Sequence, residues 1–163
     1  MIAHVHRFVL PAAYSLLPPQ MNSPAASAML LSIGLQESRF LHRLQIGGPA
    51  KSLFQFERGG GVVGVLTHPK TGELARHALD ALRYSRDSSS AAVHGYMADN
   101  DTLAAVFARL LLWTVPGRLP REGEADYAWQ TYIDGWRPGR PHRSSWNAFY
   151  RQAWMRVKEQ DTV

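Results

Sequence analysis

The sequence predicts an α+β domain that is predominantly α-helical and contains one small β-hairpin or flap. Two observations lead to this prediction. Apolar residues recur at helical spacing in several segments bounded by capping residues and prolines, whereas only residues 52–66 carry the short apolar runs typical of strands. The 163 residues have the length of one domain and show no internal repeat. We therefore expect an irregular N-terminal arm over residues 1–22, followed by a single domain over residues 23–163.

The first helix is predicted from its capping residues. Ser23 is a favourable N-cap and Pro24 stands at the first helical position, so the helix should run from Pro24 to about His42. Glycine and proline then stop regular structure before the hairpin or flap of residues 52–66. This segment includes a triple glycine at 59–61, which lets a backbone approach a ligand closely.

Further helices are predicted in the second part of the chain. Residues 101–113 are almost wholly apolar, so this helix should lie at the centre of the domain. Turns rich in glycine and proline, at 115–120 and 137–143, separate the last helices from one another. The other predicted helices cover residues 71–85, 88–98 and 121–136, and a last helix runs from Ser144 or Ser145 to about Val157.

Composition excludes some functions and leaves others open. The chain has no cysteine, so disulfides, thiolate catalysis and sulfur ligands for zinc are excluded. Its seven histidines are scattered and form no HExxH motif, and we expect neither a metal nor a cofactor. The net charge of +5 favours a polyanionic partner such as nucleic acid, an anionic membrane or an acidic cell wall. The basic residues are dispersed rather than clustered, which argues against nucleic acid.

The chain shows no pattern for export or membrane insertion. Its first residues are weakly apolar and interrupted by prolines, so we expect no secretory signal peptide. A membrane span needs about 18 or more consecutive apolar residues, and no such run exists. We therefore expect no membrane span.

Glu37 is the residue whose position indicates chemistry. It lies towards the end of the first predicted helix. Burial disfavours the charged form of a carboxyl and raises its pKa, and cutting a glycosidic bond needs a group that holds its proton near neutral pH. The alternative is a solvent-facing helix residue paired with Arg39 or Arg43. An apolar setting for the Glu37 carboxyl is offered by Leu35, Phe40, Leu53, Phe54 and Phe56.

The residues around Glu37 resemble the active-site motif of soluble lytic transglycosylases and goose-type lysozymes. In that family a Glu-Ser pair ends a helix, and a Gly-Leu-Met-Gln-like segment follows. Glu37 and Ser38 match the first part, and residues 47–55 resemble the second. Within that segment Ser52 stands where the family usually has glycine, and Phe54 stands in place of methionine.

A third element of the family is a helix that ends in Ala-Tyr-Asn-Ala-Gly. Residues 110–120 resemble it in position and in their Pro-Gly turn, with Trp113 and Thr114 where Tyr-Asn would stand. The resemblance covers about residues 25–120, and the overall impression is of a phage-encoded member of the family.

The resemblance implies a lysozyme-like fold, with the flap beside the catalytic helix, and cleavage of the bond between N-acetylmuramic acid and N-acetylglucosamine. Glu37 would protonate the linking oxygen. In a transglycosylase it would then act as base on the muramoyl 6-hydroxyl and give a 1,6-anhydro product. The motif favours this outcome slightly over hydrolysis, which usually needs a second carboxylate. Glu57 is the nearest candidate for that second carboxylate.

The motif also supplies candidate substrate-binding residues. Ser38 is one, and its alternative role is a hydrogen bond at the end of the helix. Gln55 is another, and its alternative is an exposed position on a strand. Leu53 and Phe54 accompany Gln55 in the candidate site, although Phe54 also fits the core.

Aromatic residues outside the motif complete the candidate site. Trp113 offers a flat ring to the apolar face of a sugar, and its alternative place is the core. Tyr132 would reach the cleft from the predicted helix at 121–136. The remaining tryptophans are expected to pack the C-terminal helices; they are Trp129, Trp136, Trp146 and Trp154.

The implied partners are glycan strands of peptidoglycan and other phage virion proteins. The expected location is a phage virion, or the bacterial cytoplasm before delivery to the periplasm. The alternative function is a non-catalytic module, either a phage structural protein or a basic polyanion binder, on a lysozyme-like scaffold. A cleft that holds Glu37 beside Gln55 would support the enzyme, whereas a Glu37 carboxylate pointing to bulk solvent would support the module.

Overall fold

The computed structural model describes residues 1–160, and over that range the protein is predominantly helical, as the sequence predicts. Strand-like pairing among the described residues is limited to two isolated antiparallel bridges, which join Lys51 to Leu44 and to Phe56. No helix within residues 1–160 is long and apolar enough to cross a membrane. The α-helices are α1 (Ile2–His4), α2 (Leu10–Tyr14), α3 (Pro24–Ser38), α4 (Val63–Thr67), α5 (Gly72–Ala81), α6 (Ser90–Tyr96), α7 (Asp101–Thr114), α8 (Ala125–Trp136) and α9 (Arg143–Gln160).

Helix α3 is the buried helix that carries the candidate acid. It begins as predicted: the Ser23 hydroxyl accepts a hydrogen bond from the Ala26 N–H at 3.1 Å. Its side chains from Ala26 to Leu35 are buried around the whole circumference, and α9 and α7 pack against it. The predicted end near His42 is wrong, because Arg39 and Phe40 take left-handed conformations with φ of 52° and 56°. The helix therefore stops at Ser38, directly after Glu37.

The prediction of an irregular arm over residues 1–22 is wrong. Helices α1 and α2 are joined by a π-helical turn, Val5–Val9, so the chain is helical from Ile2 to Tyr14. Val5, Val9 and Leu10 are buried in the same core as α3 and α7. Proline lies in the first turn of α2, where a missing N–H is tolerated. Burial of these apolar side chains therefore outweighs the breaking tendency of the prolines.

The predicted hairpin over residues 52–66 is also wrong. Residues 52–55 form a tight turn between the bridged residues, and a π-helical turn, Arg58–Val62, then leads directly into α4. Val62 and Val65 are both fully buried, and their spacing of three residues is helical rather than alternating. Short apolar runs are ambiguous between strand and helix, and here the helical spacing decides the outcome.

The remaining helices lie close to their predicted positions. Helix α7 is buried along almost its whole length, which confirms the prediction that it is central. Helices α8 and α9 pack against each other through an aromatic cluster in which Trp146 stacks on Tyr132 and Tyr150. Trp146 is fully buried, and the partly exposed Trp129, Trp136 and Trp154 pack against the same core, so these tryptophans pack the C-terminal helices as expected.

Candidate active site

An open cleft of about 1490 Å³ lies at the C-terminal end of α3. One wall is the turn and glycine-rich segment that precede α4, and the other is the end of α8 with the loop that follows it. The cleft therefore collects residues that are far apart in the sequence. The polar and charged side chains on its walls belong to Gln36, Glu37, Ser38, His42, Gln45, Gln55, Glu57, His68, Thr114, Tyr132, Asp134, Arg137, Arg140 and His142.

Glu37 occupies the last turn of α3 and lines this cleft with its partly buried side chain. The Tyr132 hydroxyl donates a hydrogen bond to Glu37 Oε1 at 2.5 Å. Tyr132 lies on α8 and is itself 2% exposed, held in the aromatic cluster between α8 and α9. The carboxyl is thus fixed by a buried donor on one side and reaches the cleft on the other.

Burial raises the pKa of Glu37 to about 7. The hydrogen bond from Tyr132 opposes this rise, and the nearby carboxylate of Glu57 adds to it. The pKa of Tyr132 is raised as well, by burial first and then by the charge and the hydrogen bond of Glu37. Tyr132 therefore remains a hydrogen-bond donor at neutral pH, while a large fraction of Glu37 holds its proton.

Ser38 connects the end of α3 to the turn over residues 52–55. Its buried hydroxyl donates to the Leu53 carbonyl at 2.6 Å and accepts from the Phe40 N–H at 3.1 Å. The structure therefore gives Ser38 the helix-end hydrogen bond that was its alternative interpretation, and it also places the residue on the cleft wall. Because this bond fixes the turn beside Glu37, Ser38 positions the cleft wall that carries Gln55.

Leu53 and Phe54 were predicted to bind substrate, and the structure corrects this. Both side chains are 0% exposed and belong to the hydrophobic core, and neither lines the cleft. Their backbone carbonyls hold the site together instead: Leu53 accepts from Ser38, and Phe54 accepts from the Trp136 indole N–H at 3.1 Å. The ring of Phe54 lies edge-on to that of Phe40, which is the core placement left open by the sequence.

Gln55 and Glu57 lie on the cleft wall with Glu37. The Gln55 amide donates to the Ser52 carbonyl at 2.8 Å, so the side chain is tethered to its own turn. Glu57 is exposed and belongs to no ion pair among residues 1–160. Asp134, which the sequence did not single out, is a further carboxylate on the opposite wall.

Ser52 is buried and has a φ of 74°, in the left-handed region that favours glycine. Its hydroxyl accepts a hydrogen bond from the Phe54 N–H at 3.2 Å. The position where serine replaces the glycine of the motif is thus a position with glycine-like backbone conformation.

Trp113 does not line the cleft, which corrects the prediction that it stacks on a sugar. Its ring is 38% exposed and faces the guanidinium of Arg109 at 5.3 Å. Trp136 lies on the cleft wall in its place, packed against Phe56. In α7, Leu111 and Thr114 are three residues apart and lie on the helix face that lines the cleft. Trp113 projects from a different face of the same helix, so its ring does not reach the cleft.

The turn that the sequence predicts between the last two helices forms a basic loop on the cleft wall. Residues 137–142 connect α8 to α9, and Arg137, Arg140 and His142 line the cleft. A smaller depression of about 320 Å³ adjoins the cleft and shares Glu37 and His142 with it. Glu37 therefore lies where two depressions meet, so an extended ligand has room on both sides of the carboxyl.

No group of histidine, aspartate and glutamate side chains within residues 1–160 is arranged to hold a metal ion.

No protein-family model matches the chain, and neither a curated protein nor a solved structure does so. The function is accordingly argued from the residues of the site and their chemistry.

Proposed function

We propose that this protein cleaves the glycosidic bond between N-acetylmuramic acid and N-acetylglucosamine in peptidoglycan, with Glu37 as general acid and base. The observation that carries the proposal is Glu37 itself: a carboxyl with a pKa of about 7, held by Tyr132 at the wall of an open cleft. General acids of glycosidases need this combination of a raised pKa and access to the substrate.

The contacts of Glu37 define how it would donate its proton. Oε1 accepts the hydrogen bond of Tyr132, which leaves Oε2 to carry the exchangeable proton. When that proton moves to the leaving glycosidic oxygen, the carboxylate that remains is stabilised by the same phenol, because hydrogen bonds to charged groups are stronger than those to neutral ones. Tyr132 is thus a positioning residue that favours the state reached after proton transfer.

The resemblance of the local sequence to lytic transglycosylases and goose-type lysozymes supports the same function. The Glu-Ser pair ends a helix, and the Ser38 hydroxyl is bonded to the turn that carries Gln55. The backbone at Ser52 has the conformation that the glycine of that motif favours. These features support a lysozyme-like arrangement around Glu37.

We prefer a lytic transglycosylase, with a 1,6-anhydro product, over a hydrolytic lysozyme. One carboxylate suffices for the transglycosylase, since Glu37 takes back a proton from the muramoyl 6-hydroxyl after giving its own to the leaving oxygen. A hydrolase would call on a second carboxylate to activate water or stabilise the developing cation. Glu57 and Asp134 are the acids on the cleft walls that would serve there.

The test is digestion of isolated peptidoglycan followed by mass spectrometry of the released fragments. We expect anhydro-ended fragments from the wild type and a loss of at least about 100-fold for Glu37→Gln, because glutamine keeps the shape of the side chain but donates no carboxyl proton. Glu73→Gln is the matched control, since Glu73 is exposed and lies outside the cleft. Reducing-ended fragments would instead indicate hydrolysis and direct attention to Glu57.

The second candidate function is a non-catalytic module that binds a polyanion. The net charge of +5 and the arginines in the cleft favour it. Absence of soluble fragments over a range of pH and wall sources, together with binding to nucleic acid that falls steeply with salt, would replace the enzyme by this module.

A further inference from the structure

The loop over residues 137–142, here called the basic loop, presents two arginines to the cleft. Both Arg137 and Arg140 line it, and within residues 1–160 neither makes an ion pair or a side-chain hydrogen bond. Several other arginines pair with carboxylates, as Arg43 does with Asp101 at 2.7 Å. The guanidinium donors of the basic loop therefore remain available to a ligand.

The basic loop is held in place and attached to the catalytic helix. The Gln36 side-chain amide donates to the His142 backbone carbonyl at 2.9 Å, and the Ser145 hydroxyl donates to the Gln36 side-chain oxygen Oε1 at 3.0 Å. At its other end the Arg137 N–H donates to the Ile133 carbonyl at 3.0 Å and closes α8. Because Gln36 precedes Glu37, the loop and the acid are positioned by one turn of α3.

The arginines of the basic loop do not serve the acid itself. The groups that set the protonation of Glu37 are its buried surroundings, Tyr132 and Glu57, and no arginine acts on it. An arginine beside Glu37 would favour the carboxylate and remove the proton that a general acid needs. Both guanidinium groups line the same cleft as the carboxyl and do not contribute to its raised pKa, which indicates a role towards another part of the substrate.

We propose that Arg137 and Arg140 bind a carboxylate carried by the glycan strand, so that the cleft selects anionic over neutral glycans. This inference rests on the proposed function. Guanidinium groups bind carboxylates through paired N–H donors. In peptidoglycan such a carboxylate comes from the peptide stem, or from the lactyl group where the stem has been removed, whereas a polymer of N-acetylglucosamine alone has none.

The test compares three ligands: soluble glycan strands with peptide stems, the same strands after the stems have been removed, and neutral chitin oligosaccharides. The variant is the double substitution Arg137→Gln and Arg140→Gln. The matched control is Arg83→Gln with Arg151→Gln, which removes the same charge from exposed arginines outside the cleft. Arg83 also shares the left-handed backbone of Arg137, with φ of 66° against 48°.

We expect KM for carboxylate-bearing strands to rise about threefold for each arginine removed, and about tenfold for both, with kcat unchanged. The strand type that shows the loss identifies the source of the carboxylate. Binding of the same strands by calorimetry, measured in the Glu37→Gln background, should weaken equally, and binding of chitin oligosaccharides should not change. The control double variant should behave as wild type.

Equal KM and equal binding for the double variant and the wild type would overturn this inference and leave the proposed enzyme intact. Binding that depends on the arginines, in a protein that cleaves nothing, would retain the carboxylate site and reject the enzyme. Arginine-dependent binding of an oligonucleotide, with no affinity for any glycan, would overturn the inference and favour the polyanion-binding module.

Discussion

Replacing Glu37 by glutamine should stabilise the protein, and the gain should depend on pH. The pKa of this carboxyl is about 7 in the folded protein, against an ordinary value of 4.5 in the unfolded chain. Below pH 4.5 the Glu37 carboxyl is neutral in both states, so its titration does not change the free energy of unfolding. Between pH 4.5 and 7 only the unfolded state ionises, so the free energy of unfolding falls as pH rises, and above pH 7 the loss is constant.

The size of the effect follows from the separation of the two pKa values. It corresponds to about 3 kcal/mol for a fully buried carboxyl, and we expect about 2–3 kcal/mol because part of the Glu37 side chain reaches the cleft. Glutamine fills the same volume and accepts the Tyr132 hydrogen bond, but it never ionises. The variant should therefore equal the wild type near pH 4 and exceed it by the full amount at pH 8.

Urea unfolding followed by tryptophan fluorescence, at intervals from pH 4 to pH 9, measures this difference. Other acids titrate in both proteins and cancel from the comparison. Glu73→Gln is the matched control, because Glu73 is exposed and lies outside the cleft, whereas the Glu57 carboxylate itself adds to the raised pKa of Glu37. A Glu37→Gln curve that stays parallel to the wild type would show that Glu37 is solvated and would refute the argument for a general acid.

Two further predictions concern the neighbours of Glu37. Tyr132→Phe removes the hydrogen bond that lowers the pKa of Glu37. The alkaline limb of the pH–activity profile, expected near pH 7 in the wild type, should therefore move to higher pH while the maximal rate falls. An unchanged limb would show that the phenol does not reach the carboxyl. Gly34→Ala should lower the free energy of unfolding by about 1–3 kcal/mol in urea unfolding, because a Cβ there would lie 2.1 Å from the Phe40 ring. Gly64 also lies in a helix, but nothing lies within 4 Å of an added Cβ. Gly64→Ala should therefore leave the stability of the protein unchanged or raise it by about 0.5–1 kcal/mol. Equal effects at the two glycines would contradict the packing argument.

Features that depend on neighbouring residues were predictable from the sequence. Ser23 and Pro24 define the start of α3 through local capping, and the apolar run of α7 marks it as the central helix. The position of Glu37 towards the end of an apolar helix, followed by Ser38 and a segment with Gln55, follows from the same kind of information. These signals arise from residues that are only a few positions apart, so they can be read from the sequence.

Predictions that depended on competition between local patterns were less successful. Prolines suggested an irregular N-terminal arm, but buried Val5, Val9 and Leu10 gain more from joining the core. The runs in residues 52–66 were interpreted as strands of a hairpin or flap, but burial of Val62 and Val65 against the core favours a helix there. In both segments the burial of apolar side chains in the core outweighed the local preference. A sequence pattern does not give the extent of that burial.

The sequence by itself determined that this protein is mostly helical and that Glu37 lies towards the end of an apolar helix, followed by a motif-like segment. Only the tertiary structure decided what surrounds that carboxyl. The phenol that holds it belongs to Tyr132, 95 residues away in the chain, and the arginines of the basic loop come from beyond α8. Leu53 and Phe54 turned inward and Trp113 faced away from the cleft for the same reason. Contacts between distant parts of the chain decide which side of each helix or turn faces solvent. The spacing of residues along the sequence does not specify those contacts.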